Sequence, residues 1–188
     1  IKIILSSFLV TALYTPFGVY FHKGNSLSSF SLQLIFGLIT ISFIALFLNF
    51  FFPLNPLINS ILLIFSLVII FKYKKIFFIK NFILFCSSSA LIIFLLITNS
   101  NMYRPDAGLY HLPYINLLNE EKIILGVSNL NFRFGHTSIL QYLSAFTNNF
   151  IFGINGIVFA GALVASSIII NFLSYIYIGI KNQKYDFH

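Results

Sequence analysis

Arg104, Asp106, His111, Glu120, Glu121, Lys122, Arg133 and His136 all stand between residues 99 and 136. Residues 1–98 hold no Asp, Glu or Arg, and residues 137–180 carry no charge of either sign. The acid, base and anion-binding chemistry of this 188-residue chain is therefore concentrated in one loop.

Within that loop Asp106 follows Pro105 directly, and a proline favours the first turn of a helix. A carboxylate there is stabilised by free backbone N–H groups and by the positive helix end. Helix capping alone would account for such an acid. The same setting keeps it ionised, so Asp106 could also serve as a general base toward an acceptor hydroxyl or as a ligand to a divalent metal. Tyr110 lies four residues on and shares its helical face. His111 lies about 140° around the helix, so the two need a bend to converge. Pro113 can supply it by removing a helical hydrogen bond near Leu109. The plainer reading of His111 is an interfacial side chain with its polar edge in water. Asp106 and His111 match no tight ligand spacing, so no structural metal site is expected, and a divalent cofactor stays open.

Glu120, Glu121 and Lys122 read as a solvated turn. The glycine-bounded stretch from Gly126 to Gly135 alternates Leu130, Phe132 and Phe134 with Asn129, Asn131 and Arg133. That pattern predicts an extended segment presenting its polar residues to one side. Arg133 suits a phosphate, because guanidinium offers paired hydrogen bonds; contact with a lipid headgroup fits equally well. His136 opens the next helix and would bind phosphate or cap.

The elements that must position these groups are apolar. The chain is 59% hydrophobic and 8% charged, with mean hydropathy +0.95. Soluble domains carry about 25% charged residues, so the composition predicts an all-α, polytopic membrane bundle. The net charge of +7 is spread over short loops, where it reports topology and not nucleic-acid binding. Cys86 sits in an apolar run and forms no disulfide framework.

Spans need about 20 apolar residues, and five are predicted: 3–21, 31–52, 57–71, 82–98 and about 155–180. Four spans thus fill residues 1–98, the loop with its interfacial helices covers 99–150, and a last span with a tail covers 151–188. Lys72, Lys74, Lys75 and Lys80 mark a cytoplasmic loop by the positive-inside rule. Lys23 and the pair Lys181 and Lys184 agree with that orientation, which places loop 99–135 outside the cytoplasm. Residues 137–150 carry Ile139, Leu140, Tyr142, Leu143, Phe146 and Phe150 at helical spacing, with Ser138, Gln141, Ser144 and Asn148 opposite. Such a helix suits the membrane surface; the alternative is the start of a tilted span packed against other helices. The first residue, Ile1, and the end at His188 soon after a span lead to the expectation of a longer parent chain.

An outward span, then Asp106-x-x-x-Tyr110-His111, then Gly126-x-x-Asn129-x-x-x-Arg133-x-Gly135, then an amphipathic helix resembles uncharacterised bacterial multi-pass membrane proteins. Those look similar to the GT-C class of glycosyltransferases, which use dolichyl- or polyprenyl-phosphate sugars. The Lys72-Tyr73-Lys74-Lys75 loop fits the same group, so the resemblance extends over most of the chain. It implies a GT-C-like fold in the bacterial cytoplasmic membrane, with Asp106 beside the acceptor and residues 137–150 parallel to the membrane. The pattern departs from the class in having Ala107 where many members have a second acid.

The implied activity is transfer of a sugar from a polyprenyl-phosphate donor to an extracytoplasmic acceptor. Asp106 would act as base, with His111 orienting it or touching the acceptor. Arg133, helped by Arg104 or His136, would hold the leaving phosphate, and Tyr110 and Asn129 would contact substrate. The rival is a transporter, flippase or assembly component for lipid-linked polysaccharide. A substrate path through a membrane calls for polar or ionisable residues inside the spans; the predicted spans hold Asn49, Asn59, Asn171 and several serines but no charge.

Overall fold

A computed structural model describes residues 2–99, 107–129, 131–135 and 138–181, and every regular element among them is helical. Helix α1, Lys2–Tyr14, tightens into a 3-10 turn at Thr15–Gly18, where Pro16 interrupts the ladder. Helix α2, Leu27–Asn49, starts on Ser26, whose Oγ accepts the Ser29 N–H at 3.1 Å. Helix α3, Pro56–Lys72, combines an Asn55 cap on the Ile58 N–H with a proline in its first turn. A short α4, Lys74–Phe77, leads to α5, Lys80–Thr98. Helices α6, Leu112–Glu120, and α7, Ile139–Thr147, precede α8, Phe159–Lys181.

Among the described residues three helices are long and apolar enough to cross a membrane: Leu27–Asn49, Lys80–Thr98, and Ile154–Lys181 including its leading 3-10 turn. Two of the five predicted spans are shorter. Lys2–Gly18 and Pro56–Lys72 reach 17 residues each, or about 25 Å of helix against a hydrocarbon core of about 30 Å.

Backbone contact joins α1 to α2. A Cβ on Gly18 would collide with the Gln33 carbonyl, and one on Gly37 with the Tyr14 carbonyl. Small residues at such a crossing let two helices touch along their backbones. Helices α1, α5 and α8 are tied by hydroxyls: Thr11 Oγ1 lies 3.1 Å from Ser89 Oγ, which lies 3.0 Å from Ser166 Oγ. Each hydroxyl has one proton. Thr11 gives its proton to the Ser7 carbonyl at 2.9 Å and Ser166 gives its own to the Leu163 carbonyl at 3.0 Å, so Ser89, between them, donates to one of these two hydroxyls.

The bundle has two unlike ends. One gathers Lys23, Lys72, Lys74, Lys75, Lys80 and Lys181, with Asn81 Nδ2 donating to the Asn25 carbonyl at 3.0 Å across it. At the other, three buried asparagines clamp chain ends. Asn49 Nδ2 donates to the Phe52 and Glu121 carbonyls at 3.2 and 3.0 Å. Asn59 Nδ2 reaches the carbonyls of Leu54, Ala145 and Asn148 at 2.7, 3.0 and 2.7 Å. Asn119 Nδ2 reaches Leu54 and Ala145 at 2.6 and 3.0 Å. Most of these carbonyls lie at helix ends or in turns and lack an intrahelical donor.

The environment of α7 corrects the expectation of a helix with one face in the acyl boundary. Gln141 to Thr147 are all buried, polar and apolar alike, with α7 seated against α2, α6 and α8. Local bonds make this tolerable: Thr147 Oγ1 donates to the Ser144 carbonyl at 2.6 Å. Stretch 126–135 also departs from expectation. Instead of an extended segment it holds two 3-10 turns, Val127–Asn129 and Phe132–Gly135.

Candidate functional site

Residues Ala107–His111 form one wide π-helical turn that runs straight into α6. Pro113 sits in the first turn of α6, directly after the wide turn that takes up the break in the ladder near Leu109. The wide turn leaves the Tyr110 and His111 rings side by side, with centres 4.1 Å apart and planes at 41°.

Arg133 arrives from the second 3-10 turn. Gly126 takes a left-handed φ of 79°, and the chain closes through Asn129 N–H to the Gly126 carbonyl at 2.8 Å. Asn131 Oδ1 then accepts the Arg133 N–H at 3.1 Å. Asparagine side chains compete in this way for nearby backbone, which favours turns over strand. Phe134 anchors the turn on Tyr114 of α6, with ring centres 5.6 Å apart. The guanidinium carbon of Arg133 consequently lies 5.5 Å from the Tyr110 ring centre and 5.7 Å from that of Phe132, a cation–π arrangement.

From the opposite side comes α7. Ser138 and Gln141 form a reciprocal capping box, in which Gln141 Oε1 accepts the Ser138 N–H at 2.8 Å. With its oxygen so committed, Gln141 turns its Nε2 toward His111 Nδ1, 3.3 Å away. An amide nitrogen only donates, so Nδ1 must accept and the neutral ring carries its proton on Nε2. Beneath this pair Tyr114 is buried and hydrogen-bonded to Tyr142. Burial first, and then that bond, push its phenol well above the ordinary tyrosine range.

The cluster thus offers a cation, an outward-facing imidazole N–H and two aromatic faces. Those groups can grip an anionic oxygen and stack a flat or apolar ring face.

Residues 1–186 match the family described as Domain of unknown function (DUF8201). The chain belongs to that family. No curated protein and no solved structure matches it.

Of the sequence candidates in this DUF8201 chain, the fold joins Tyr110, His111 and Arg133. Asn129 is exposed in the preceding turn, so it does not share an extended face with Arg133. Arg104, Asp106 and His136 lie outside the described residues. Glu120, Glu121 and Lys122 are exposed. Sequence reasoning missed the role of Gln141, although Ser138-x-x-Gln141 carries the spacing of a capping box. It also missed Tyr114 and Tyr142, which carry no motif.

Proposed function

We propose that this chain is a membrane glycosyltransferase of the GT-C kind, moving a sugar from a polyprenyl phosphate to an acceptor outside the cytoplasm. The observation that carries the reading is the meeting of Arg133, Tyr110 and His111 at the end of the bundle away from the lysines. Arg133 there is half-buried on an aromatic platform, a setting that favours a bound anion more than a solvated surface does. In this reading all five apolar helices span, the two 17-residue ones included, the lysine end faces the cytoplasm of a bacterium, and the loop faces out.

The chemistry follows from the leaving group. The acceptor hydroxyl oxygen attacks the anomeric carbon as the bond from that carbon to the phosphate oxygen breaks. The hydroxyl proton passes to the carboxylate of Asp106, next in sequence before the π-helical turn. The lipid phosphate leaves as an anion that Arg133 holds, and the His111 Nε2–H donates to the sugar or the phosphate.

The test is release of free polyprenyl phosphate, followed by mass spectrometry, from the full-length protein in lipid nanodiscs given a pool of polyprenyl-phosphate sugars and a cell-envelope extract as the source of acceptor. Loss of release in Asp106→Asn and a large reduction in Arg133→Ala are expected. A folded wild type that binds the lipid and releases nothing would mark a lipid carrier instead.

A further inference from the structure

The bundle holds a second feature, at its lysine end. Helices α5 and α8 meet at the Ser89–Ser166 contact. From Ile92, just past that contact, and Ile170 to the lysine end, a cavity of about 710 Å³ lies between the two helices and the start of α2. Its walls are mainly apolar, with Ile92, Ile170 and Leu173 beside Ser88 and Ser174, while Ser26, Ser28, Asn81 and Lys181 lie at its lysine end.

Two properties define what it would hold. The first is length. The walls run from Asn81 to Ile92 on α5 and from Ile170 to Lys181 on α8, about 16 Å of helix on each side. That is half of a hydrocarbon core of about 30 Å, the depth of one leaflet. A protein helix crossing the bilayer would need the other half as well, and the groove's lining ends at Ile92 and Ile170. The second is charge. Six lysines collect at this end, and both described acids, Glu120 and Glu121, belong to the opposite one. A cation ringed by hydroxyls and an amide complements an anionic phosphate.

We infer that this groove seats one anionic phospholipid of the adjoining leaflet, its acyl chain between α5 and α8 and its phosphate at Lys181, Ser26, Ser28 and Asn81. The site needs only that α5 and α8 cross a bilayer. It is separate from the sugar-transfer cluster and stands if that reading falls.

The experiment places a photoreactive benzoylphenylalanine at Tyr177 in the full-length protein, in nanodiscs of equal phosphatidylglycerol and phosphatidylcholine. Tyr177 lines the groove and is 65% exposed, so the aromatic exchange leaves packing intact. The same group at Phe172, exposed and outside the groove, reports the bulk lipid ratio. At Tyr177 the anionic lipid is expected to be captured about fivefold above that ratio. Lys181→Gln should return it to bulk, and Lys181→Arg should preserve it. Capture at the bulk ratio, capture of protein instead of lipid, or enrichment that survives Lys181→Gln would each overturn the assignment.

Discussion

Gln141 spends its amide oxygen on the N–H of Ser138 and thereby aims its nitrogen at His111, 3.3 Å from Nδ1. A helix cap and a candidate site residue thus share one side chain. Nitrogen-15 NMR of labelled His111 should show the proton on Nε2, with Nδ1 unprotonated in the neutral ring. Gln141→Leu should scramble the tautomers and cost about 1 kcal/mol through the lost cap. A wild-type ring protonated on Nδ1 would contradict this geometry.

Asn59 serves three carbonyls, Leu54 in the turn just before its own helix and Ala145 and Asn148 in one distant segment. Asn59→Leu removes both amide protons, and with them all three contacts, and the expected loss is about 2–3 kcal/mol. Ser88→Ala, which touches only its own exposed turn, should change stability by less than about 0.5 kcal/mol. Equal unfolding midpoints for the two variants would show that the asparagine does not hold the loop to the bundle.

Two glycines allow a matched comparison. Gly37 faces the Tyr14 carbonyl, whereas a Cβ on Gly161 of α8 would meet open space. Gly37→Ala should destabilise by about 1–3 kcal/mol through the forced separation of α1 and α2. Gly161→Ala should be neutral or stabilising by about 0.5–1 kcal/mol. Thermal unfolding in the same detergent decides, and a tolerated Gly37→Ala would mean the two backbones do not meet as described.

Alkaline pH should act through Tyr114. Burial and the Tyr142 bond hold its phenol above the unfolded value, so the stabilisation is complete below pH about 10 and is lost as pH rises toward the folded value. Tyr114→Phe should flatten that decline, and Tyr142→Phe should lower the Tyr114 titration in an ultraviolet absorbance series. A phenol titrating with the exposed tyrosines in the folded protein would rule this out.

Arg133 is predicted not to be replaceable by lysine. The flat guanidinium lies over Tyr110 and beside Phe132, and an ammonium has neither its planarity nor its paired donors. Arg133→Lys should weaken binding of a polyprenyl-phosphate sugar about tenfold or more while changing the free energy of unfolding by less than about 1 kcal/mol. Unchanged binding would leave Arg133 as a packing residue.

The long helices were legible because hydropathy and charge are properties of each residue taken alone. Runs without charge, the Asn55-Pro56 start and the lysine cluster define them directly. The reactive loop was legible for the same reason. Tyr110, His111 and Arg133 stood out by chemical type before their meeting was visible.

Environment was not legible. The pattern of α7 gives one apolar and one polar face, and nothing local says that protein covers both. The stretch around Arg133 alternates like a strand, yet Gly126 and the asparagines bend it into turns. Asn59 looks like a polar intruder in a span until Ala145, 86 residues away, presents its carbonyl. Composition and order along the chain determined that this protein is helical and apolar, with both arginines and three of its four acids in one loop. Only the tertiary structure decided which polar groups are satisfied and by whom, because a hydrogen bond is fixed by distance in space and carries no mark in the sequence of either partner.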